Sequence, residues 1–227
     1  MMPGNVLVTG GASGLGAATA AEILAAGGTP LILDRKAPDE KVPYRKADLA
    51  DTAATAEAVH ELATEAGRLD AVFTAAGIDA CGALADVPAD DWEQVVKVNL
   101  LGTAATVRAA LPHLAETRGK VVTCASTLGV KAVSDATAYC ASKFGVVGFT
   151  RALAAETAGR IGVTLLVPGG MRTGFFDGRP EQYRPAPDAK LNDPRDVARA
   201  VLFALGQPPG SELREMVVCC SEETSWP

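Results

Sequence analysis

Two side chains that could exchange a proton stand four residues apart, in the segment Tyr139-Cys140-Ala141-Ser142-Lys143. The segment opens a predicted helix, so this spacing places Tyr139 and Lys143 on one face. A free phenol has a pKa of about 10 and is a poor base at neutral pH, but a neighbouring ammonium favours the phenolate and lowers the pKa. Such a tyrosine can pass a proton to or from an alcohol or carbonyl oxygen. Because many helices carry this pair on their surface by chance, the interpretation depends on the rest of the chain.

A glycine-rich turn near the N-terminus is the second chemical feature. It follows a strand predicted at residues 5–9, precedes a helix predicted at 15–26, and has the spacing G-x-x-x-G-x-G. Glycines let the backbone approach a pyrophosphate closely, and the N–H groups at a helix start attract anions. No Gly-Lys-Ser/Thr follows, so a Walker phosphate loop is excluded. We predict a dinucleotide here, bound through Gly10, Ala12, Ser13, Gly14, Leu15 and Gly16.

The end of the second predicted strand carries an acidic side chain. Asp34 lies 18 residues after Gly16, close to the ~20-residue offset at which a carboxylate accepts the ribose hydroxyls of NAD. A 2'-phosphate would face that carboxylate, so NAD(H) is favoured over NADP(H). Arg35 could stabilise a phosphate, and NADP(H) therefore stays open as the alternative cofactor.

Short apolar runs alternate with longer amphipathic stretches, as in βαβ units that build a parallel sheet in an α/β protein. Strands are predicted at 5–9, 30–34, 71–75, 120–125, 162–167 and 216–219, and helices at 15–26, 52–66, 90–114, 138–158 and 194–205. The 13 residues between Asp34 and Asp48 include two prolines and leave room for only a loop or a single turn. The proline- and aromatic-rich stretch 170–192 is predicted to be a substrate lid. We expect one domain spanning residues 1–227.

The glycine turn Thr9-Gly10-x-x-x-Gly14-x-Gly16 and the pair Tyr139-x-x-x-Lys143 together resemble the short-chain dehydrogenase/reductase family over nearly the whole chain. The resemblance implies a Rossmann-type, doubly wound sheet of about seven strands in the order 3-2-1-4-5-6-7. It also implies hydride transfer between the dinucleotide and a secondary alcohol or ketone. The catalytic residues that it implies are Asn99, Ser126, Tyr139 and Lys143.

Each of these residues has an implied role. Ser126, 13 residues before Tyr139, matches the family's catalytic serine and would donate to the substrate oxygen. Lys143 would lower the tyrosine pKa and donate to the nicotinamide ribose. Asn99 matches the helix asparagine that holds a water between the lysine and solvent, and so completes a proton relay.

Three further segments resemble the family's cofactor contacts. The pair Asp48-Leu49 is similar to the pair that binds adenine. The segment Thr74-Ala75-Ala76-Gly77 lacks the two asparagines of the family pattern, so its contact must use backbone groups. The segment 168–173 is similar to the one that holds the nicotinamide carboxamide. The contacts implied beyond the glycine turn are Asp34, Arg35, Asp48, Leu49, Ala75, Ala76, Gly77, Tyr139, Lys143, Pro168, Gly169, Met171 and Thr173.

Composition argues against several other classes. A net charge of -6 with scattered basic residues disfavours nucleic acid, and no apolar run approaches the ~18 residues of a membrane span. The N-terminus lacks a signal-peptide pattern. Five cysteines without a C-x-x-C pair fit reduced thiols in the cytoplasm, with no metal site. Neither His60 nor His113 lies beside a nucleophile, which disfavours a Ser-His-Asp hydrolase.

Substrate and assembly stay open. Residues near Cys81, Leu128 and Val133 indicate a fairly apolar pocket, and the short connection after Asp34 also occurs in relatives that oxidise cyclic dihydrodiols, which hints at a cyclic alcohol or ketone. The resemblance implies a homodimer or homotetramer. A regulator that senses the dinucleotide without turnover is the alternative outside catalysis, and the intact catalytic set argues against it.

Overall fold

Seven strands pair in parallel in one sheet of the computed structural model, which describes residues 3–226. Their order is β3-β2-β1-β4-β5-β6-β7, which confirms the predicted Rossmann-type, doubly wound class. The strands are β1 (Asn5–Thr9), β2 (Thr29–Asp34), β3 (Tyr44–Lys46), β4 (Ala71–Thr74), β5 (Lys120–Cys124), β6 (Gly162–Pro168) and β7 (Glu215–Val218).

Helices cover both faces because side chains alternate along the buried strands. Val6, Val8 and Ile32 pack towards the helices that begin at Gly14 and Pro194. Leu7 and Leu31 pack on the opposite face, towards helices in the ranges 52–66, 103–117 and 137–156. Each fully buried side chain of this kind contributes about 1.5–3 kcal/mol. The α-helices in the described residues are α1 (Gly14–Ala25), α2 (Thr52–Ala66), α3 (Ala89–Val96), α4 (Thr103–Thr117), α5 (Thr137–Glu156) and α6 (Pro194–Leu205).

The segment predicted as a helix at 90–114 is helical throughout, but a π-helical turn at Lys97–Gly102 divides it into α3 and α4. The side chain of Asn99, within this π turn, binds the loop after β4. Its Nδ2 donates to the carbonyl oxygen of Ile78 at 2.9 Å, and its Oδ1 accepts from the Ile78 N–H at 2.8 Å. These bonds tie the turn to the loop after β4. Such π turns are frequent at functional sites.

The segment predicted as a loop or single turn between Asp34 and Asp48 contains β3, which pairs with β2 from Ile32 and Tyr44 to Asp34 and Lys46. A strand of three residues has too short an alternation to recognise in a sequence. The other predicted bounds agree with the structure to within two residues.

The carboxyl ends of β1 and β4 lie at the point where successive connections run to opposite sides of the sheet. Such switch points form the ligand crevice of doubly wound proteins. The glycine turn, the loop after β4 and the residue after β5 all lie at this edge. In the described part of the chain, no helix is both long and apolar enough to cross a membrane.

Candidate active site

The glycine turn after β1 is a backbone cradle with no room for side chains. Gly10 has a φ of 69°, and a Cβ added there would lie 2.8 Å from the Cα of Ala76. Gly14 has a φ of 52°, which residues with side chains rarely adopt. Gly16 packs on the carbonyl oxygen of Gly10 so closely that any Cβ would overlap that oxygen. Another group can therefore approach the backbone of this turn directly.

Helix α1 begins at this turn with N–H groups that no side chain caps. Its N-cap, Ser13, is exposed and makes no side-chain capping bond. Across the crevice, Thr173 Cβ lies 3.5 Å from the position of a Cβ on Gly14, so the segment after β6 faces the turn. Free donors and the positive end of the helix dipole suit an anion. The cradle at Ala12 to Gly16 therefore fits the pyrophosphate of a dinucleotide.

Asp34 ends β2 with its carboxylate on the glycine turn. Its Oδ2 accepts from the Ala12 N–H at 3.0 Å, and its Oδ1 accepts from the Lys36 N–H at 3.0 Å. A carboxylate oxygen can accept more than one hydrogen bond, so this carboxylate could also accept from ribose hydroxyls. Arg35 is exposed beside it.

The loop after β4 crosses in front of the glycine turn. The Ala76 N–H donates to Thr9 Oγ1 at 3.3 Å. The hydroxyl of Thr74 is buried without a hydrogen-bond partner in the described residues. Because alanine and glycine have no polar side chain, hydrogen bonds from Ala75, Ala76 and Gly77 to a bound group would come from the backbone.

Asp48 and Leu49 follow β3. Asp48 is exposed, and its Oδ1 accepts from the Ala50 N–H at 3.0 Å. Leu49 is buried against the π turn, where a Cβ on Gly102 would lie 2.7 Å from the Leu49 Cβ. Only Asp48 of this pair presents its side chain to solvent, so a cofactor contact by Leu49 would use its backbone.

Three predicted catalytic side chains meet where β5 ends and α5 begins. Ser126 is buried two residues after the end of β5, and its Oγ accepts from the Leu128 N–H at 3.1 Å. Lys143 is also buried, and its Nζ lies 5.6 Å from the centre of the Tyr139 ring. That Nζ donates to the carbonyl oxygen of Cys124 at 2.8 Å. The strand end and the first turns of the helix thus bring a hydroxyl, a phenol and an ammonium together.

The pKa of Tyr139 moves opposite to the sequence-based expectation. Burial raises the pKa of Tyr139 above its usual range, and a hydrogen bond with Ser126 lowers it by less. Burial also lowers the pKa of Lys143. Lys143 is not among the causes of the Tyr139 pKa shift, and its ammonium donates to the Cys124 carbonyl oxygen instead, so the phenol stays protonated at neutral pH.

Asn99, the fourth predicted catalytic residue, connects the loop after β4 to α5. Its Nδ2 also donates to Ser142 Oγ at 3.0 Å, and Ser142 Oγ donates to the Tyr139 carbonyl oxygen at 2.8 Å. Asn99 Oδ1 and Lys143 Nζ each lie 3.5 Å from the position of a Cβ on Gly77. Asn99 is therefore near the lysine as well as bonded to the helix that carries it.

The stretch 170–192 is closed at its base and reaches Tyr139. Met171 and Asn192 form a bridge, and Asn192 Nδ2 donates to the Gly170 carbonyl oxygen at 3.1 Å. Two short 3-10 turns lie between them, at Gly174–Phe176 and Glu181–Tyr183. The centre of the Phe175 ring lies 5.7 Å from that of Tyr139. The segment 170–192 therefore places an aromatic side chain next to the Tyr139 phenol.

The C-terminal residues make contacts at the site that no sequence pattern indicates. Glu223 Oε2 accepts from the Gly170 N–H at 3.0 Å and fills the space beside Gly169. The hydroxyls of Ser225 and Thr127 lie 2.6 Å apart. This segment joins the residues after β6 to the loop after Ser126. Only the fold could reveal these pairs, because their members are far apart in the chain.

A glycine cradle at the switch point, an acidic residue at the end of the second strand and a Ser-Tyr-Lys cluster beside them define a nicotinamide dinucleotide-dependent oxidoreductase of CH–OH or carbonyl groups. The family described as short chain dehydrogenase matches residues 4–184. The chain belongs to this family.

Relatives in the family are similar over most of this chain. The 2-dehydro-3-deoxy-L-rhamnonate dehydrogenase (NAD(+)) of a Sphingomonas species is 35% identical, covering 77% of this chain and 75% of its own. The meso-2,3-butanediol dehydrogenase of Serratia marcescens is 29% identical, covering 87% and 85%. A short chain dehydrogenase from Burkholderia cenocepacia, solved in complex with NADP, is 27% identical with a TM-score of 0.85, covering 96% and 97%.

Proposed function

We propose that this protein transfers a hydride between NAD(H) and a secondary alcohol or ketone through Ser126, Tyr139, Lys143 and Asn99. The observation that carries the proposal is the Ser126-Tyr139-Lys143 cluster beside Gly77 and the glycine cradle, in which Ser126 and Lys143 are buried and Tyr139 is half-buried. When bound, the nicotinamide accepts or supplies the hydride. The chain's own residues bind and orient the substrate and move the proton.

The proposed roles follow from hydrogen-bond chemistry. Ser126 donates to the substrate oxygen, and Tyr139 gives or takes the proton on that oxygen. Lys143 holds the ribose next to the nicotinamide. The nearness of Asn99 Oδ1 to the lysine supports its part in a proton relay. The segment 170–192 acts as the lid that excludes water.

The test is a panel of cyclic and linear secondary alcohols with NAD, followed by the absorbance of the reduced nicotinamide. The raised pKa of Tyr139 sets the expected pH dependence. Alcohol oxidation needs the phenolate as base, and carbonyl reduction needs the phenol as acid. From about pH 6 to pH 9, oxidation should therefore accelerate because the phenolate fraction rises, whereas reduction should stay nearly constant because the phenol remains protonated throughout this range. An oxidation rate that falls steadily over this range would contradict the role of Tyr139.

Asp34 supports NAD(H) as the cofactor. A 2'-phosphate would meet a carboxylate that the backbone of Ala12 and Lys36 already holds at the turn. We expect NAD(H) to raise the melting temperature more than NADP(H), and Asp34→Ser to weaken NAD(H) binding about tenfold or more. Asp39→Ser, an exposed aspartate on the same loop, is the control and should keep the preference. Greater stabilisation of the unmodified protein by NADP(H) would overturn the assignment.

Two exposed apolar side chains support a homodimer or homotetramer. Leu101 in the π turn and Phe144 on α5 are 46% and 45% exposed. Apolar side chains on adjoining helices suit contact between copies. The proposed assembly therefore uses the face formed by α4 and α5.

A further inference from the structure

An ion pair that takes no part in the proposed hydride and proton transfer lies close to the proposed reaction centre. Arg179, in the segment 170–192, places Nη2 2.9 Å from Oδ2 of Asp79, in the loop after β4. The side chains are only 16% and 6% exposed. Removing two charges from water costs several kcal/mol per ion, so a pair at this depth calls for a role beyond holding two loops together.

Aromatic rings connect the guanidinium to Tyr139. The Arg179 Cζ lies 4.7 Å from the centre of the Phe175 ring and 4.7 Å from that of Phe176. Phe175 in turn packs against the Tyr139 ring. The charges of Asp79 and Arg179 also act on the pKa of Tyr139, which agrees with this proximity. Arg179 is therefore one aromatic ring away from Tyr139, within reach of a substrate that extends from the phenol past Phe175.

The two members of the pair differ in their remaining bonding capacity. Both oxygens of Asp79 are in use: Oδ1 accepts from the Ala80 N–H at 2.8 Å, and Oδ2 accepts from the Cys81 thiol at 3.2 Å besides Arg179. Burial, reinforced by Asp79, raises the pKa of Cys81 to about 11, so the thiol remains a donor at neutral pH. Arg179 has Nε and Nη1 without a hydrogen-bond acceptor in residues 3–226. The guanidinium can donate to a second carboxylate through Nε and Nη1 while Nη2 stays paired with Asp79.

We propose that Arg179 binds a carboxylate of the substrate and that Asp79 orients it. This inference rests on the proposed function, since it assigns a substrate class to the same site. A carboxylate fits because its charge and its two oxygens match the donors of a guanidinium.

The test compares two matched probes, cyclohexanecarboxylate and cyclohexanecarboxamide, by calorimetric titration with NADH present. We expect the protein to bind the carboxylate about 10- to 100-fold more tightly than the amide. Arg179→Met should reduce that ratio to about one, whereas Lys190→Met, which removes an exposed charge from the same lid, should preserve it. Equal binding of the two probes by the unmodified protein would overturn the proposal, as would a ratio that Arg179→Met leaves unchanged.

Arg179→Met leaves the Asp79 carboxylate without its partner, so a second variant tests whether that unpaired charge causes the loss of preference. Asp79→Asn with Arg179→Met removes both charges together and should also bring the ratio to about one. A carboxylate-to-amide binding ratio that stays high in the double variant would contradict the proposed role of Arg179. The titration needs no turnover, so its result is independent of the alcohol panel. Inactivity on every alcohol would contradict the proposed hydride transfer. An active enzyme that shows no preference for the carboxylate would contradict this inference alone.

Discussion

Tyr139→Phe is expected to lower the rate of alcohol oxidation by about 10²- to 10⁴-fold, the usual contribution of a positioned acid or base. The substitution removes one oxygen atom and leaves the ring that packs on Phe175. Lys143 keeps its bond to Cys124, and the glycine cradle is untouched. Binding of the dinucleotide should therefore stay within about twofold, a change below ~0.5 kcal/mol.

Turnover and dinucleotide titration on the same preparations measure this prediction. The matched control is Tyr183→Phe, because Tyr183 lies in the lid within a short 3-10 turn and has no proposed role in proton transfer. It should retain nearly full turnover. If Tyr139→Phe turned over normally, the proton-transfer mechanism would be wrong. If it lost dinucleotide binding as well as turnover, the separation of binding from chemistry would be wrong.

Gly16→Ala should damage both folding and dinucleotide binding. The new methyl group would overlap the Gly10 carbonyl oxygen, which belongs to the backbone of the turn. Relief requires α1 to move away from the turn, and the donors at its start would move with it. Overpacking of this kind costs about 1–3 kcal/mol of folding free energy. We also expect dinucleotide affinity to fall about tenfold or more, since the cradle loses its shape.

Denaturant unfolding and dinucleotide titration check this result against a second glycine. Gly148 lies within α5 with nothing within 4 Å of an added Cβ. Gly148→Ala should raise the free energy of unfolding by about 0.5–1 kcal/mol and leave binding unchanged. Normal dinucleotide affinity in Gly16→Ala would show that the turn is not the pyrophosphate site.

Much of the fold could be predicted because buried parallel strands are short apolar runs and the helices between them are longer. The runs that contain Val6, Ile32 and Val122 were recognisable for this reason. The strand β3 was not, because it is three residues long and none of its side chains is fully buried. The π turn was also missed, because a π turn leaves the helical pattern of apolar residues largely unchanged, and the bond from Asn99 in this turn joins Ile78, 21 residues away.

The candidate site divides in the same way. Local spacing indicated the glycine turn and the Tyr139-Lys143 pair, because a turn and a helix are set by neighbours in sequence. The pairing of Asp79 with Arg179 and the contact of Glu223 with Gly170 had no local signal. Both join loops that only packing of the sheet brings together.

The sequence by itself determined the class of chemistry, because the Tyr139-Lys143 pair occurs in one chain with a glycine turn, an acidic residue at the end of the second strand and a serine 13 residues before the tyrosine. Tertiary structure alone decided how that phenol behaves. The pKa of Tyr139 depends on how far packing excludes water from the phenol and on which acceptor Lys143 binds. In this structure burial is the largest cause and raises the pKa. Desolvation depends on every element packed around a group, whereas helical spacing depends on four consecutive residues.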